Sequence, residues 1–228
     1  MTKLSVVATP IGNLEDMTLR ALRTLKEADV IACEDTRMTG KLLAHFDIHT
    51  PTVAFHSQSG ERGFEKIIGL LEEGKHVALV SDAGTPGVSD PGQELVSRVR
   101  EHFADEVMIE AIAGPSALAA ALSVCGLRAS SFTFYGFLPL KKGRESLFDA
   151  IASDGRASIF YESSHRIVKA LESLAQRLPE ERRIGVFREL TKLHEEAIVG
   201  SAADVLARIV ADSNKQRGEF VIIVESTH

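Results

Sequence analysis

Short β-branched runs alternate along the chain with segments whose apolar residues recur at helical spacing, the texture of strand–helix–strand units around a largely parallel sheet. In the first half LSVVA, DVIAC, TVAF, HVALV and VMIEAI are the predicted strands. Between TVAF and HVALV, Phe64, Ile67, Ile68 and Leu71 fall at i, i+3, i+4 and i+7, so GFEKIIGLLEE is a predicted amphipathic helix stopped by Gly74. Around residues 126–131 the texture changes to a small, polar connector, GLRASS, followed by an aromatic-rich run, FTFYGFL. The expectation is an N-terminal α/β domain over 1–126 with a largely parallel sheet, and a C-terminal α/β domain over 127–228. The second half reads FTFYGFL, a helix over 143–153, ASIFY, a helix over 164–177, RIGVF, HEEAIVG, a helix over 202–212 and EFVIIVE. RIGVF and HEEAIVG are too close for a crossover helix, so this sheet should be mixed, with an antiparallel pair. Adjacent Glu195 and Glu196 mark HEEAIVG as an edge or solvent-facing strand.

Length and composition narrow the picture only a little. At 228 residues, 44% hydrophobic and 25% charged, the sequence is globular rather than disordered or fibrous. No apolar run approaches the ~20 residues of a membrane helix, and the short N-terminal apolar stretch runs into a turn, so a cytoplasmic protein with no membrane partner is expected. Cys33 and Cys125 lie in apolar stretches without zinc-site spacing and are expected to be buried free thiols, with no metal implied. A net charge of −6 gives no overall attraction for nucleic acid, so any RNA contact must come from a local basic patch.

The chemistry concentrates where a predicted strand is broken off. SDAGTPGVSDPG, residues 81–92, follows HVALV directly. Gly84 and Gly87 suit positive φ or a close ligand approach, and Pro86 and Pro91 stiffen the loop. Asp90, Pro91 and Gln93 read as N-cap, N1 and N3 of the helix carrying Val96, Val99 and Phe103. Asp82 has no such local duty and is suited to accept from ribose hydroxyls or an amino group. ATPIGN (8–13) and IAGPSA (112–117) also follow strands, so all three turns should gather on the carboxyl edge of one parallel sheet and form a cleft. GxGxxG, GxxxxGK[ST], GxSxG and HExxH are all missing, which weakens dehydrogenase, kinase, hydrolase and zinc protease readings.

Taken in order, ATPIGNLEDMTLRAL, CEDTR, SDAGTPGVSDPG, IAGPSA, FYESSHR and RELTKLHEE resemble the tetrapyrrole methylase superfamily, more narrowly its ribosomal RNA branch, from about residue 4 to 226. The resemblance implies two α/β domains with S-adenosylmethionine in the cleft between them, homodimerisation, and 2′-O-methylation of a decoding-centre cytidine of 16S small-subunit rRNA. Carried over, the methyl-donor contacts are Pro10, Asp82, Ala83, Gly84, Thr85, Ala113, Gly114, Ser116, Tyr161, Gly218 and Glu219. Glu34, Asp35, Arg37, His165, Arg166 and Arg188, with Glu162, Glu189 and Lys192, would face substrate. Members of this branch continue past VIIVE with a helical extension that contributes to RNA binding, whereas this sequence stops at His228.

Methyl transfer to a ribose hydroxyl needs alignment and an acceptor for the hydroxyl proton; general-base help is worth about 100- to 10,000-fold. Glu189, Lys192 with a pKa lowered by burial, Glu162 and His165 are the candidates, with the RELTK segment favoured. His165 reads equally as a first-turn helix residue behind a Ser163 or Ser164 cap, and Glu34, Asp35 and Arg37 as a local ion pair at a strand end. Lys141, Lys142 and Arg144 form a compact basic cluster that is either a phosphate contact or a solvated helix start. Competing readings keep the donor with a tetrapyrrole or other small-molecule acceptor, or keep only a non-catalytic RNA-binding module.

Overall fold

The computed structural model describes residues 2–55 and 60–227. The chain divides into two compact units, Met1–Ser116 and Ala117–His228. In the first, β1 (Lys3–Val7), α1 (Leu19–Glu27), β2 (Val30–Cys33), α2 (Thr36–His45), β3 (Thr52–Ala54), α3 (Gly60–Glu72), β4 (His76–Val80), α4 (Gly92–Phe103) and β5 (Met108–Ile112) follow one another. The strands form a five-stranded sheet in the order β3-β2-β4-β1-β5, and every neighbouring pair is parallel.

The sheet is apolar on both faces because helices cover both. Val77 and Leu79 of β4 pack with Leu4, with Phe64, Ile67 and Leu71 of α3 and with Leu95 and Val99 of α4. Ala78 and Val80 point the other way, into Ala21 and Leu25 of α1 and Leu43 of α2. Burial of each large side chain contributes about 1.5–3 kcal/mol, so these two layers hold the strand edges in place. α1 starts where Thr18 accepts from Ala21 N, and α3 ends at Gly74, whose φ of 80° only glycine adopts without cost.

The second unit contains α5 (Ala117–Val124), β6 (Phe132–Phe137), α6 (Arg144–Ser153), β7 (Ala157–Ser163), α7 (Ile167–Ala175), β8 (Ile184–Arg188), β9 (Glu196–Gly200), α8 (Ala202–Val210) and β10 (Glu219–Val224). Its sheet order is β6-β7-β10-β8-β9, with β6 and β7 parallel and the other pairs antiparallel. The expected mixed sheet is therefore present, β8 and β9 pair antiparallel as expected, and β9 lies at its edge. α6, α7 and α8 cover one face through Phe148, Ile151, Leu171, Leu174, Val205 and Ile209. The units separate at Ser116, not near 126, because the apolar α5 packs on β10 and so belongs with the second sheet. GLRASS is a connector inside the second unit. Cys33 and Cys125 are both free and buried, as their settings predict. Among the described residues no helix is long and apolar enough to cross a membrane.

Candidate functional site

β1 lies between β4 and β5, and all three run the same way, so the turns that follow them leave one edge side by side. Hydrogen bonds join these turns. Thr9 N donates to Gly84 O at 2.9 Å and Gly84 N to Thr9 O at 3.1 Å, a two-bond antiparallel bridge. Thr85 Oγ1 donates to Pro115 O at 2.9 Å. Gly114 comes so close to the first turn that a Cβ there would lie 2.9 Å from Ala8 Cβ. Pro10, Asp82, Ala83, Gly84, Thr85, Ala113, Gly114 and Ser116 thus gather at one edge, with Asp82, Ala83, Ala113 and Gly114 exposed.

Gly84 and Gly87 take the expected positive φ, 82° and 86°. The helix start differs by one residue from the expectation: α4 begins at Gly92, and Pro91 holds the cap position without a side-chain bond. Asp90 instead closes the turn, accepting from Gly92 N at 2.8 Å and from Gly87 N at 2.8 and 2.9 Å. The carboxylate reaches backwards as well as forwards, which shifts the first helical residue.

Asp82 caps no helix, but its Oδ1 accepts from Asp35 N, 47 residues away, at 3.2 Å. Its own N–H donates to Glu34 Oε1 at 3.4 Å, so the CEDTR turn after β2 is tied to the same edge. Asp35 caps α2 through Arg37 N at 2.8 Å and accepts from Arg37 Nε and Nη2 at 3.1 and 2.7 Å. Asp35 and Arg37 form the local ion pair of the two readings, while Glu34, also expected in it, makes no ion pair among the described residues, and the Arg37 guanidinium holds the Asp35 carboxyl well below the usual range. Glu34 goes the other way. Burial first, then the negative charge of Asp90, raise its pKa against the Asp82 N–H it accepts.

In the second unit long side chains dominate. Glu162 is only 1% exposed and sits between Arg144 Nη2 at 2.6 Å and Arg166 Nε at 2.7 Å. Arg144 is buried and also donates to Pro139 O, while Arg166 donates to Leu138 O. The basic cluster therefore reduces to exposed Lys141 and Lys142, because Arg144 turns inward to meet the Glu162 carboxylate. α7 begins at Ile167 without a serine cap: Ser164 Oγ donates to Gly218 O and accepts from Gly218 N, each at 2.8 Å. His165 lies exposed in the turn before that helix. Tyr161 packs against Phe134 and Phe137 with ring centroids 5.0 and 5.4 Å away, and burial raises its pKa.

The RELTK turn carries left-handed backbone at Glu189 (φ 50°) and Thr191 (φ 66°). It is tied to the last strand by Glu189 N to Glu219 O at 2.9 Å and by Glu219 N to Glu189 Oε1 at 2.9 Å. Gly218 has to be glycine, since a Cβ there would lie 2.6 Å from Glu189 Cγ. Lys192 Nζ donates to Glu189 at 3.0 Å and to Glu219 at 2.8 Å. Burial alone would lower the Lys192 pKa, but the two carboxylates outweigh it and hold it above its ordinary value, the reverse of what a lysine base requires. Burial would likewise raise Glu189, and the Glu219 N–H and the Lys192 ammonium bring it below the ordinary value.

Sequence reasoning passed over Arg217, Lys215 and His194. With Arg188, Glu189 and Gly218 they line an open hollow of about 520 Å³. Arg188 is pinned there by Arg217 O at 2.6 Å and His194 O at 3.1 Å, and Lys215 pairs with Glu196. The dense KQRG run before the last strand was the available signal. Among the described residues no group of three or more His, Cys, Asp or Glu could hold a metal ion.

The family model for Tetrapyrrole (Corrin/Porphyrin) Methylases matches residues 3–206, and the chain belongs to that family. It is 44% identical over 224 residues to the ribosomal RNA small subunit methyltransferase I of Escherichia coli O157:H7, covering 98% of this chain and 77% of that protein. It is 39% identical to the protein of the same name from Thermotoga maritima, with 98% of both chains covered. The uroporphyrin-III C-methyltransferase of Thermus thermophilus, solved in complex with S-adenosyl homocysteine, has the same fold, with a TM-score of 0.66, 19% identity, and 99% and 98% of the two chains covered.

Proposed function

We propose that this chain is an S-adenosylmethionine-dependent methyltransferase that transfers a methyl group to the ribose 2′-oxygen of a cytidine in small-subunit rRNA. The observation that carries the reading is the 44% identity over 98% of the chain to a protein named for rRNA methylation, an identity that spans all three hydrogen-bonded turns.

The residues at the carboxyl edge of the first sheet fit a methyl donor of this kind. Exposed Asp82 has a carboxylate for ribose hydroxyls or an amine, and Gly84 and Gly114 bring bare backbone to the edge. Pro10, Ala83, Thr85, Ala113 and Ser116 complete that edge. When bound, the donor supplies an electrophilic methyl on a sulfonium. The protein's part is to align the acceptor oxygen, worth up to roughly 7–11 kcal/mol of the barrier, and to receive its proton. Exposed Lys141 and Lys142, with Arg188 in the hollow, are proposed to neutralise RNA phosphates locally despite the acidic total. The family resemblance supports a cytoplasmic homodimer.

Labelled methyl transfer to small-subunit rRNA tests the reading. Label is expected in RNA with a native target and none in RNA carrying a 2′-deoxycytidine there; label in the deoxy substrate would overturn ribose methylation. Calorimetry with S-adenosylmethionine separates an enzyme, which binds it, from an RNA-binding module, which does not.

A further inference from the structure

We infer that Glu34, in the turn after β2, is the base that takes the proton from the ribose 2′-hydroxyl; this rests on the proposed methyl transfer. The groups favoured by sequence are already occupied. Glu162 is buried between two guanidiniums that occupy both of its carboxylate oxygens. Lys192 donates to Glu189 and Glu219 and stays an ammonium, and Glu189 in turn accepts from Lys192 and from Glu219 N.

Glu34 differs from each of these. It is half-buried, and its Oε1 is steadied by Asp82 N at 3.4 Å, on the loop that bridges to Thr9 and Pro115. Among the described residues it forms no ion pair with a lysine or arginine. The nearest cation in sequence, Arg37, is turned to Asp35 by two side-chain bonds and leaves Glu34 uncompensated. Among the described residues the charged groups around it are Asp82 and Asp90 on the glycine loop and, next in sequence, Asp35 with Arg37 at the start of α2. Burial first, then the charges of Asp90 and Asp82, outweigh the Asp82 N–H and make proton uptake more favourable than for an ordinary glutamate, the direction a base working near neutral pH requires. In the step, the 2′-oxygen bonds to the methyl carbon, the carbon–sulfur bond breaks with its electron pair left on sulfur, and the hydroxyl proton passes to a Glu34 carboxylate oxygen.

The test compares wild type, Glu34→Gln and His165→Gln. Glutamine keeps an oxygen for Asp82 N, so calorimetric affinity for S-adenosylmethionine should stay within about twofold in Glu34→Gln, while kcat on rRNA falls about 100- to 10,000-fold. The acidic limb of the wild-type pH–rate profile should vanish in Glu34→Gln and persist in His165→Gln. Carboxyl ¹³C NMR, with the Glu34 signal identified by its loss in Glu34→Gln, should show a titration above the ordinary glutamate range without any turnover. Retained kcat, a limb that follows His165, or a normal Glu34 titration would each overturn the inference. Wild type that transfers no methyl to rRNA would instead overturn the function on which it rests.

Discussion

The carboxyl edge of the first sheet and the corresponding loops of the second unit are built from different materials. The first is backbone closing on backbone: Thr9 with Gly84, Thr85 with Pro115, Gly114 against Ala8, with Asp90 as a short clasp. The second is held by long ionic side chains, with Glu162 between Arg144 and Arg166 and Lys192 between Glu189 and Glu219. Backbone-built edges leave N–H and carbonyl groups near a ligand without consuming charge. Ion-paired loops fix shape but occupy their own candidate bases.

The largest expected effect breaks the second construction. Glu162→Ala strands two arginine side chains that are 10% and 18% exposed, and should lower unfolding free energy in urea by about 3–5 kcal/mol. A drop under about 1 kcal/mol would mean that the pair does not hold the loop.

The first construction should break differently. Gly114→Val places a side chain where even a Cβ meets Ala8 at 2.9 Å, forcing the turns apart. Affinity for S-adenosylmethionine by calorimetry should fall at least about tenfold, equivalent to about 1.4 kcal/mol, with a smaller change in global stability.

A third test uses pH. Burial of Glu225 would raise its pKa, but Arg183, the Arg128 N–H and the Arg128 guanidinium outweigh it and hold it at about 2. A depressed carboxyl stabilises the fold above its unfolded pKa of about 4.5, and that contribution is lost as pH falls from there towards about 2. Stability measured across this window should slope more steeply in wild type than in Glu225→Gln; equal slopes would contradict the linkage.

The smallest effects belong to the surface. Lys141→Ala with Lys142→Ala should flatten the salt dependence of rRNA binding by about 0.7–0.9 for every phosphate that the two lysines neutralise, while Arg37→Ala, at a solvent-exposed pair, should leave the urea unfolding midpoint essentially unchanged. An unchanged salt slope would return the two lysines to solvated surface.

The same contrast explains what could be read from sequence. Gly84 and Gly87 adopt the backbone their loop composition predicts, and the three turns meet because HVALV, LSVVA and VMIEAI are neighbouring parallel strands. Glu162, a candidate base in sequence, is an ion-pair centre because Arg144 arrives from 18 residues away. Burial alone predicts a Lys192 of weakened proton affinity, and Glu219, 27 residues on, strengthens it instead. α5 sits before the apparent connector yet joins the second sheet through β10, a contact to which no local pattern points.

The sequence by itself determined the strands, the helices, the mixed second sheet and the glycine turns, because hydrophobic period and turn chemistry act over a few residues. Tertiary structure alone decided which charges met and where the units part. Those outcomes depend on which strand ends become neighbours, and a charge senses its surroundings in space and not along the chain.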